Sequence, residues 1–181
     1  MALDAGFRAF DTAEADMWYN QDLVGKALAS YFNEEVDDQC IMDDKEYCTN
    51  VCTQENLMVS TKIPPWELTS IDNIRLRAEE SRKIVVGFCD DEILPKFPMD
   101  IYYIHAPECW EGWHPRCNGV KDTLSLREAW LGMEAVVGTD HNTKRIGLSN
   151  IWPNQLRDII RFVKDREASY DGVGTPPRMP D

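Results

Sequence analysis

Two periodicities alternate along the chain. Short apolar runs, rich in β-branched and aromatic residues, suit strands. Longer stretches, in which apolar residues return every three or four positions, suit helices. ALDAG (residues 2–6) reads as the tail of a helix closed by Gly6. In FRAFDTA, Phe7, Ala9 and Phe10 form a first strand ending at Asp11 and Thr12. Residues 20–32 predict an amphipathic helix with Leu23, Val24, Ala27, Leu28, Tyr31 and Phe32 inward and Asn20 as its cap. Residues 57–63 are the second strand, stopped by Pro64 and Pro65. A second helix begins at Ser70 or Asp72, carries Ile74, Ala78, Ser81, Ile84 and Val85 on one face, and ends near Gly87. The third strand lies in MDIYYIHAP (residues 99–107), bounded by Pro98 and Pro107. A third helix over 124–137 buries Leu126, Ala129, Trp130, Met133, Val136 and Val137. RIGLSN (145–150) is the fourth strand, and Leu156, Ile159, Ile160 and Val163 are the inward face of a fourth helix.

Strand and helix thus alternate four times, which argues for the α/β class: a parallel sheet with helical crossovers. No GxGxxG follows the first strand, which speaks against a Rossmann domain. One domain is expected over 1–168, with an inserted acidic, cysteine-containing loop at about 33–56 and a long loop at 106–122. The Gly/Pro-rich stretch 169–181 reads as a linker. At 181 residues and 43% hydrophobic the chain can build one core. It is short of the roughly 250 residues of a complete (β/α)8 barrel.

Charge narrows the partners. The formal net charge of −13 repels phosphate backbones, so a nucleic-acid role is disfavoured and a solvated acidic surface is expected. No apolar run approaches the roughly 18 residues of a membrane span. MALDAGFRAF contains Asp4 and Arg8 and lacks the apolar core of a signal peptide. The six cysteines fall as Cys40, Cys48 and Cys52 in one loop, Cys109 and Cys117 in another, and Cys89 apart. Cys109, His114 and Cys117 lack the CxxC pair that would complete a zinc site, so no metal is expected. Free thiols are the expected state, with a cytoplasmic location by default. Disulfides within the two loops would instead imply a secretory route.

Candidate chemistry gathers at the strand ends. Asp11, Lys62, His105, Ser149 and Asn150 all fall where a parallel strand stops and a loop begins. Each alone reads as a cap or turn residue; five on one rim of a sheet point to a site. Beyond His105, ECWEGWHPRCNGV is a long aromatic loop of the kind that shapes substrate pockets.

These motifs together resemble the aldo-keto reductases. The resemblance runs from FRAFDTA through NQDLVGKAL, VSTKI, IYYIHAP, EAWLGMEAVV and RIGLSNIWPNQL, interrupted by the two loops. It implies a partial (β/α)8 barrel of about four strand–helix units and NADPH-dependent reduction of an aldehyde or ketone. It further implies Asp11, Lys62 and His105 as catalytic residues, with Asp11, Ser149 and Asn150 contacting the cofactor. The family's tyrosine falls in DTAEADMWYNQDLVG, which is longer than the family motif. Counting back from Val24 and Gly25 selects Trp18, and a one-residue shift selects Tyr19, which the chemistry favours. Hydride arriving at a carbonyl carbon leaves charge on oxygen, which needs an acid within hydrogen-bond reach. A phenol is too weak alone, so Lys62 would lower its pKa, Asp11 would aim Lys62, and His105 would orient the carbonyl. Trp18, Trp110 and Trp113 would wall the substrate, or simply anchor their loops.

The resemblance starts after the family's first strand and stops before its sixth. The expectation is a fragment or incomplete gene model with Met1 an internal methionine, or else self-association through open barrel edges. A catalytically silent, cofactor-binding regulator and a disulfide-containing secretory interaction domain stand as alternatives.

Overall fold

The computed structural model describes residues 2–39, 57–90 and 96–180. Four parallel strands form one sheet in sequence order: β1 (Ala9–Asp11), β2 (Met58–Ile63), β3 (Met99–Ile104) and β4 (Thr143–Leu148). Helices follow each strand: α1 (Gln21–Gln39), α2 (Ile71–Val86), α3 (Leu126–Gly138) and α4 (Pro153–Ser169). The register aligns the carboxyl ends of β2, β3 and β4, with Ile63 beside Ile104 and Ile104 beside Leu148, while β1 ends at Asp11 beside Ser60, before the end of β2. Polar residues at those ends are therefore delivered to one rim. This is the α/β architecture expected from the alternation of periods.

The core lies between the sheet and its helices. Val59, Ile63, Met99, Tyr102, Ile104 and Ile146 of the strands meet Leu28, Ile74, Ala78, Val85, Trp130, Met133 and Ile159 of the helices. β3 is buried almost throughout, as an inner strand with covered faces should be. Consecutive helices pack on one another, α1 on α2, α2 on α3 and α3 on α4. At the first of these contacts Gly25 lets the backbones approach so closely that a Cβ there would lie 2.0 Å from the carbonyl oxygen of Ile84.

Local signals place the helix ends. Ser70 accepts from the Asn73 amide at 3.0 Å and starts α2. Ser125 and Glu128 form a reciprocal capping box, which starts α3 two positions after Leu124. Pro153 occupies the first turn of α4, where its missing N–H costs nothing.

Several expectations need correction. Residues 2–6 form a turn, with Gly6 at φ 89° and its amide donating to the Leu3 carbonyl, rather than the end of a helix. β1 is only three residues long, and Phe7 lies outside it, exposed. α1 continues beyond Phe32 to Gln39, since NEEVDDQ contains no glycine or proline to stop it. The rest of the acidic loop, with Cys40, Cys48 and Cys52, lies outside the described residues. On α2, Ile84 is 40% exposed and Arg82 is buried in its stead, donating to Asp90 at 2.8 Å and to the Phe97 carbonyl. β4 begins at Thr143 and ends at Leu148, so Ser149 and Asn150 follow the strand.

The three described cysteines, Cys89, Cys109 and Cys117, are not free thiols. Cys109 and Cys117 are joined by a disulfide across a loop that folds back through a 3-10 turn at Pro115–Cys117, and Cys89 is disulfide-bonded as well. The Gly/Pro-rich stretch after α4 lies along α3: the Trp130 indole donates to the Arg178 carbonyl at 2.9 Å, and the Arg178 amide donates to buried Glu134 at 2.9 Å.

Candidate active site

The site grows from the ends of β1 and β2. The ladder between them continues past β1, with the Thr12 amide donating to Ser60 at 2.9 Å and the Glu14 amide donating to the Lys62 carbonyl at 3.1 Å. This brings Asp11 over β2. The Ser60 hydroxyl donates to Asp11 Oδ1 at 2.7 Å, and Lys62 Nζ donates to Asp11 Oδ2 at 2.5 Å and to the Thr12 carbonyl at 2.8 Å. Lys62 is buried, so its ammonium requires these acceptors; the Asp11 carboxylate remains half open to solvent.

The loop after Asp11 tightens at its far end, where the amides of Trp18 and Tyr19 both donate to the Ala15 carbonyl. The turn sends the two aromatic side chains different ways. Tyr19 lies beside the lysine, with Lys62 Nζ 5.0 Å from its ring centroid and the His105 ring edge-on at 5.7 Å. Trp18 turns to the loop beyond β3, 5.6 Å from Trp113 and 5.2 Å from His114. The phenol, not the indole, stands next to Lys62 and His105.

His105 follows β3 directly. Its amide donates to the Ile63 carbonyl at 2.9 Å, and its carbonyl accepts from the Asn150 side-chain amide at 2.8 Å. Burial, reinforced by the Lys62 charge and only partly opposed by Asp11, lowers its pKa to about 4. The imidazole is therefore neutral near pH 7. Its Nδ1 is buried without a hydrogen-bond partner, a costly state unless another group is to meet it.

Aromatic rings cover this pocket. Trp113 meets His105 edge-on at 5.3 Å and stacks on Trp110 at 4.4 Å. Trp66, from the turn after β2, stacks on buried His114 at 4.3 Å. The Cys109–Cys117 disulfide closes the loop that carries Trp110, Trp113 and His114. Beside this loop is a cavity of about 530 Å³ lined by Glu108, Trp110, Asn150, Ile151 and Trp152. Asn150, at φ 49°, also donates to the Ser149 hydroxyl at 3.2 Å.

Asp11, Tyr19, Lys62, His105 and Trp113 thus form one cluster, with Trp18 at its edge. Trp110 and Asn150 border the adjoining cavity, and Ser149 is next to Asn150. Two features escaped the sequence reading. Trp66 carried a signal, since a tryptophan directly after Pro64 and Pro65 must turn at the strand's end. Glu14 carried none. It sits in a loop, yet it is buried and accepts from Arg77 and Ser81 at 2.8 Å and from the Tyr102 hydroxyl at 2.5 Å.

A parallel α/β sheet with charged and aromatic residues converging on its carboxyl rim is the arrangement that (β/α)8 barrels and related α/β folds share. The sequence profile of the aldo/keto reductase family matches residues 1–171, and the chain belongs to that family. Solved structures agree in fold. An aldose reductase from Schistosoma japonicum is 23% identical, with a TM-score of 0.61 over 88% of this chain and 46% of its own. A Bombyx mori aldo-keto reductase in complex with NADP is 23% identical, with a TM-score of 0.58 over 97% of this chain and 44% of its own. Another aldo-keto reductase, complexed with NADPH, is 19% identical, with a TM-score of 0.59 over 97% and 41%. The chain spans less than half the length of these structures, as a partial (β/α)8 barrel. No curated protein sequence matches it. Among the described residues, no helix is long and apolar enough to cross a membrane.

Proposed function

We propose that this chain carries the catalytic rim of an NAD(P)H-dependent reductase that converts an aldehyde or ketone to an alcohol. The observation that carries the reading is the position of Lys62, held by Asp11 and Thr12 beside the Tyr19 ring and the neutral His105 imidazole. Tyr19 is the proton donor to the carbonyl oxygen. Lys62 stabilises the phenolate left behind, and Asp11 holds and aims the Lys62 ammonium. His105, neutral and with a ring nitrogen unpartnered, accepts or donates one hydrogen bond that orients the substrate oxygen.

A reduced nicotinamide supplies the hydride when bound. The residues present suit such a group: Ser149 and Asn150 offer hydroxyl and amide groups to a carboxamide beside a cavity walled by flat indoles. Trp18, Trp110 and Trp113 form the apolar wall for the substrate.

A silent, cofactor-binding role is the second reading. It is favoured by one observation: the Lys62 ammonium faces the ring of Tyr19 instead of bonding its hydroxyl. Titrating the purified chain with NADPH and assaying a panel of aldehydes separates the two. NADPH oxidation that depends on aldehyde and is lost in Tyr19→Phe supports the reductase; binding without turnover supports the silent role.

The disulfides favour an oxidising compartment and hence a secretory route. Counting thiols on protein isolated under native, thiol-blocked conditions tests this. Free Cys109 and Cys117 would reject it.

A further inference from the structure

The reductase reading uses Trp110 and Asn150 of the cavity beside the catalytic cluster but gives Glu108, Ile151 and Trp152 no role. Two indoles, Trp110 and Trp152, and the aliphatic Ile151 make most of its wall, and Trp152 is 71% exposed. Among the described residues Glu108 supplies its only ionisable side chain, and no lysine or arginine lines it. Among the described residues Glu108 makes no ion pair. Two basic side chains of the same rim are already matched, Lys62 by Asp11 and Arg116 by Asp16.

Faces of indole rings attract cations through their quadrupole, and a neighbouring carboxylate adds a full negative charge. The amino end of α4 begins at Pro153 and opposes this with a partial charge of about +0.5. One carboxylate outweighs it. The chain's net charge of −13 further concentrates cations at the surface. A volume of about 530 Å³ accommodates a small organic ion.

We propose that this cavity is a subsite for an organic cation, an alkylammonium or quaternary ammonium group. The assignment of that cation to the carbonyl substrate rests on the reductase reading. The stacked pair Trp110 and Trp113 runs from the cavity to His105. A carbonyl at His105 and a cationic head between Trp110, Trp152 and Glu108 then belong to one molecule, an aminoaldehyde or ammonio-ketone.

The test uses choline and its uncharged isostere 3,3-dimethylbutanol, with binding to the purified chain read by tryptophan fluorescence. The expected result is at least tenfold tighter binding of choline. Glu108→Gln should reduce the choline affinity several-fold while leaving the isostere's affinity unchanged, and Trp152→Ala should weaken both probes, choline the more. Equal affinities for the two probes, or choline binding indifferent to both substitutions, would overturn the subsite. A trimethylammonio aldehyde and its tert-butyl isostere then address the substrate. A KM at least tenfold lower for the cation, falling toward the isostere's in Glu108→Gln, supports the assignment, and equal KM values reject it. Absence of turnover with every aldehyde, alongside Glu108-dependent choline binding, would reject the reductase reading and leave the subsite standing.

Discussion

The hydroxyl of Tyr102, in the middle of β3, donates to the carboxylate of Glu14 at 2.5 Å. The contact ties the loop between Asp11 and Tyr19 to the centre of the sheet. Arg77 and Ser81 of α2 complete the carboxylate's partners, Gln21 donates to Ser81 at 3.1 Å, and Thr61 bonds Gln21. Beside these bonds the Glu14 amide holds the carbonyl of Lys62. The loop bearing Tyr19 and the strand bearing Lys62 therefore share one buried anchor.

Removing that anchor should be expensive. Glu14→Ala leaves the Tyr102 hydroxyl without its acceptor and Arg77 with Glu80 alone, and should cost about 3 kcal/mol. Tyr102→Phe removes one bond and should cost about 1 kcal/mol. Urea unfolding of both single variants and the double variant gives the coupling, which should be of the order of the Tyr102→Phe effect.

Acid should act through His105. Its folded pKa of about 4 lies below the ordinary 6.5, so the unfolded chain takes up the proton first. This group's contribution is constant above pH 6.5, falls as pH drops toward 4, and changes no further below that. Glu14 acts in the opposite sense, because burial raises its carboxyl pKa and the folded chain is protonated first. Its term favours the fold increasingly as pH falls. The difference between wild-type and His105→Gln stability, measured from pH 7 to pH 4, should shrink or reverse as His105 becomes a liability.

The α1–α2 contact predicts a strong response to one methyl group. In Gly25→Ala the added Cβ meets backbone, the Ile84 carbonyl at 2.0 Å, which no rotamer change can relieve. The helices must separate, at a cost of about 3 kcal/mol. Thermal unfolding of the variant reads the loss directly; a neutral result would mean that α1 packs elsewhere.

Turnover should distinguish the neighbouring aromatics of the loop. Tyr19→Phe should lower kcat by about 10²-fold or more, since it removes the proton donor while keeping the ring over which Lys62 sits. Trp18→Phe, away from Lys62 and packed on Trp113 and His114, should chiefly raise KM. Steady-state kinetics on a reducible aldehyde separates the two patterns, and exchange of the two effects would assign the acid role to neither as placed here.

What the chain determined by itself is its alternation. Short apolar runs alternating with helical stripes argue for a parallel sheet with helical crossovers, and a parallel sheet sends every strand's carboxyl end to one rim. Asp11, Lys62, His105, Ser149 and Asn150 could therefore be grouped from sequence, because strand direction alone decides where they emerge. The start of α2 was legible to within Ser70 or Asp72 from local capping signals, and the structure places the cap at Ser70. Tertiary structure decided whatever depends on chain segments meeting at a distance. The loop after Asp11 is longer than the family motif, and counting residues left Trp18 and Tyr19 open; only the turn at Ala15 sets the Tyr19 ring, and not the Trp18 ring, beside Lys62. Glu14 reads as a surface residue until β3 and α2 close over it. The burial of Arg82 in place of Ile84 depends on Asp90 and Phe97 being at hand. The Cys109–Cys117 bond depends on the backbone turn that brings their Cα atoms to 5.3 Å. Periodicity records which face of an element is apolar, whereas partners across the fold are set by packing, and packing is not a local property of sequence.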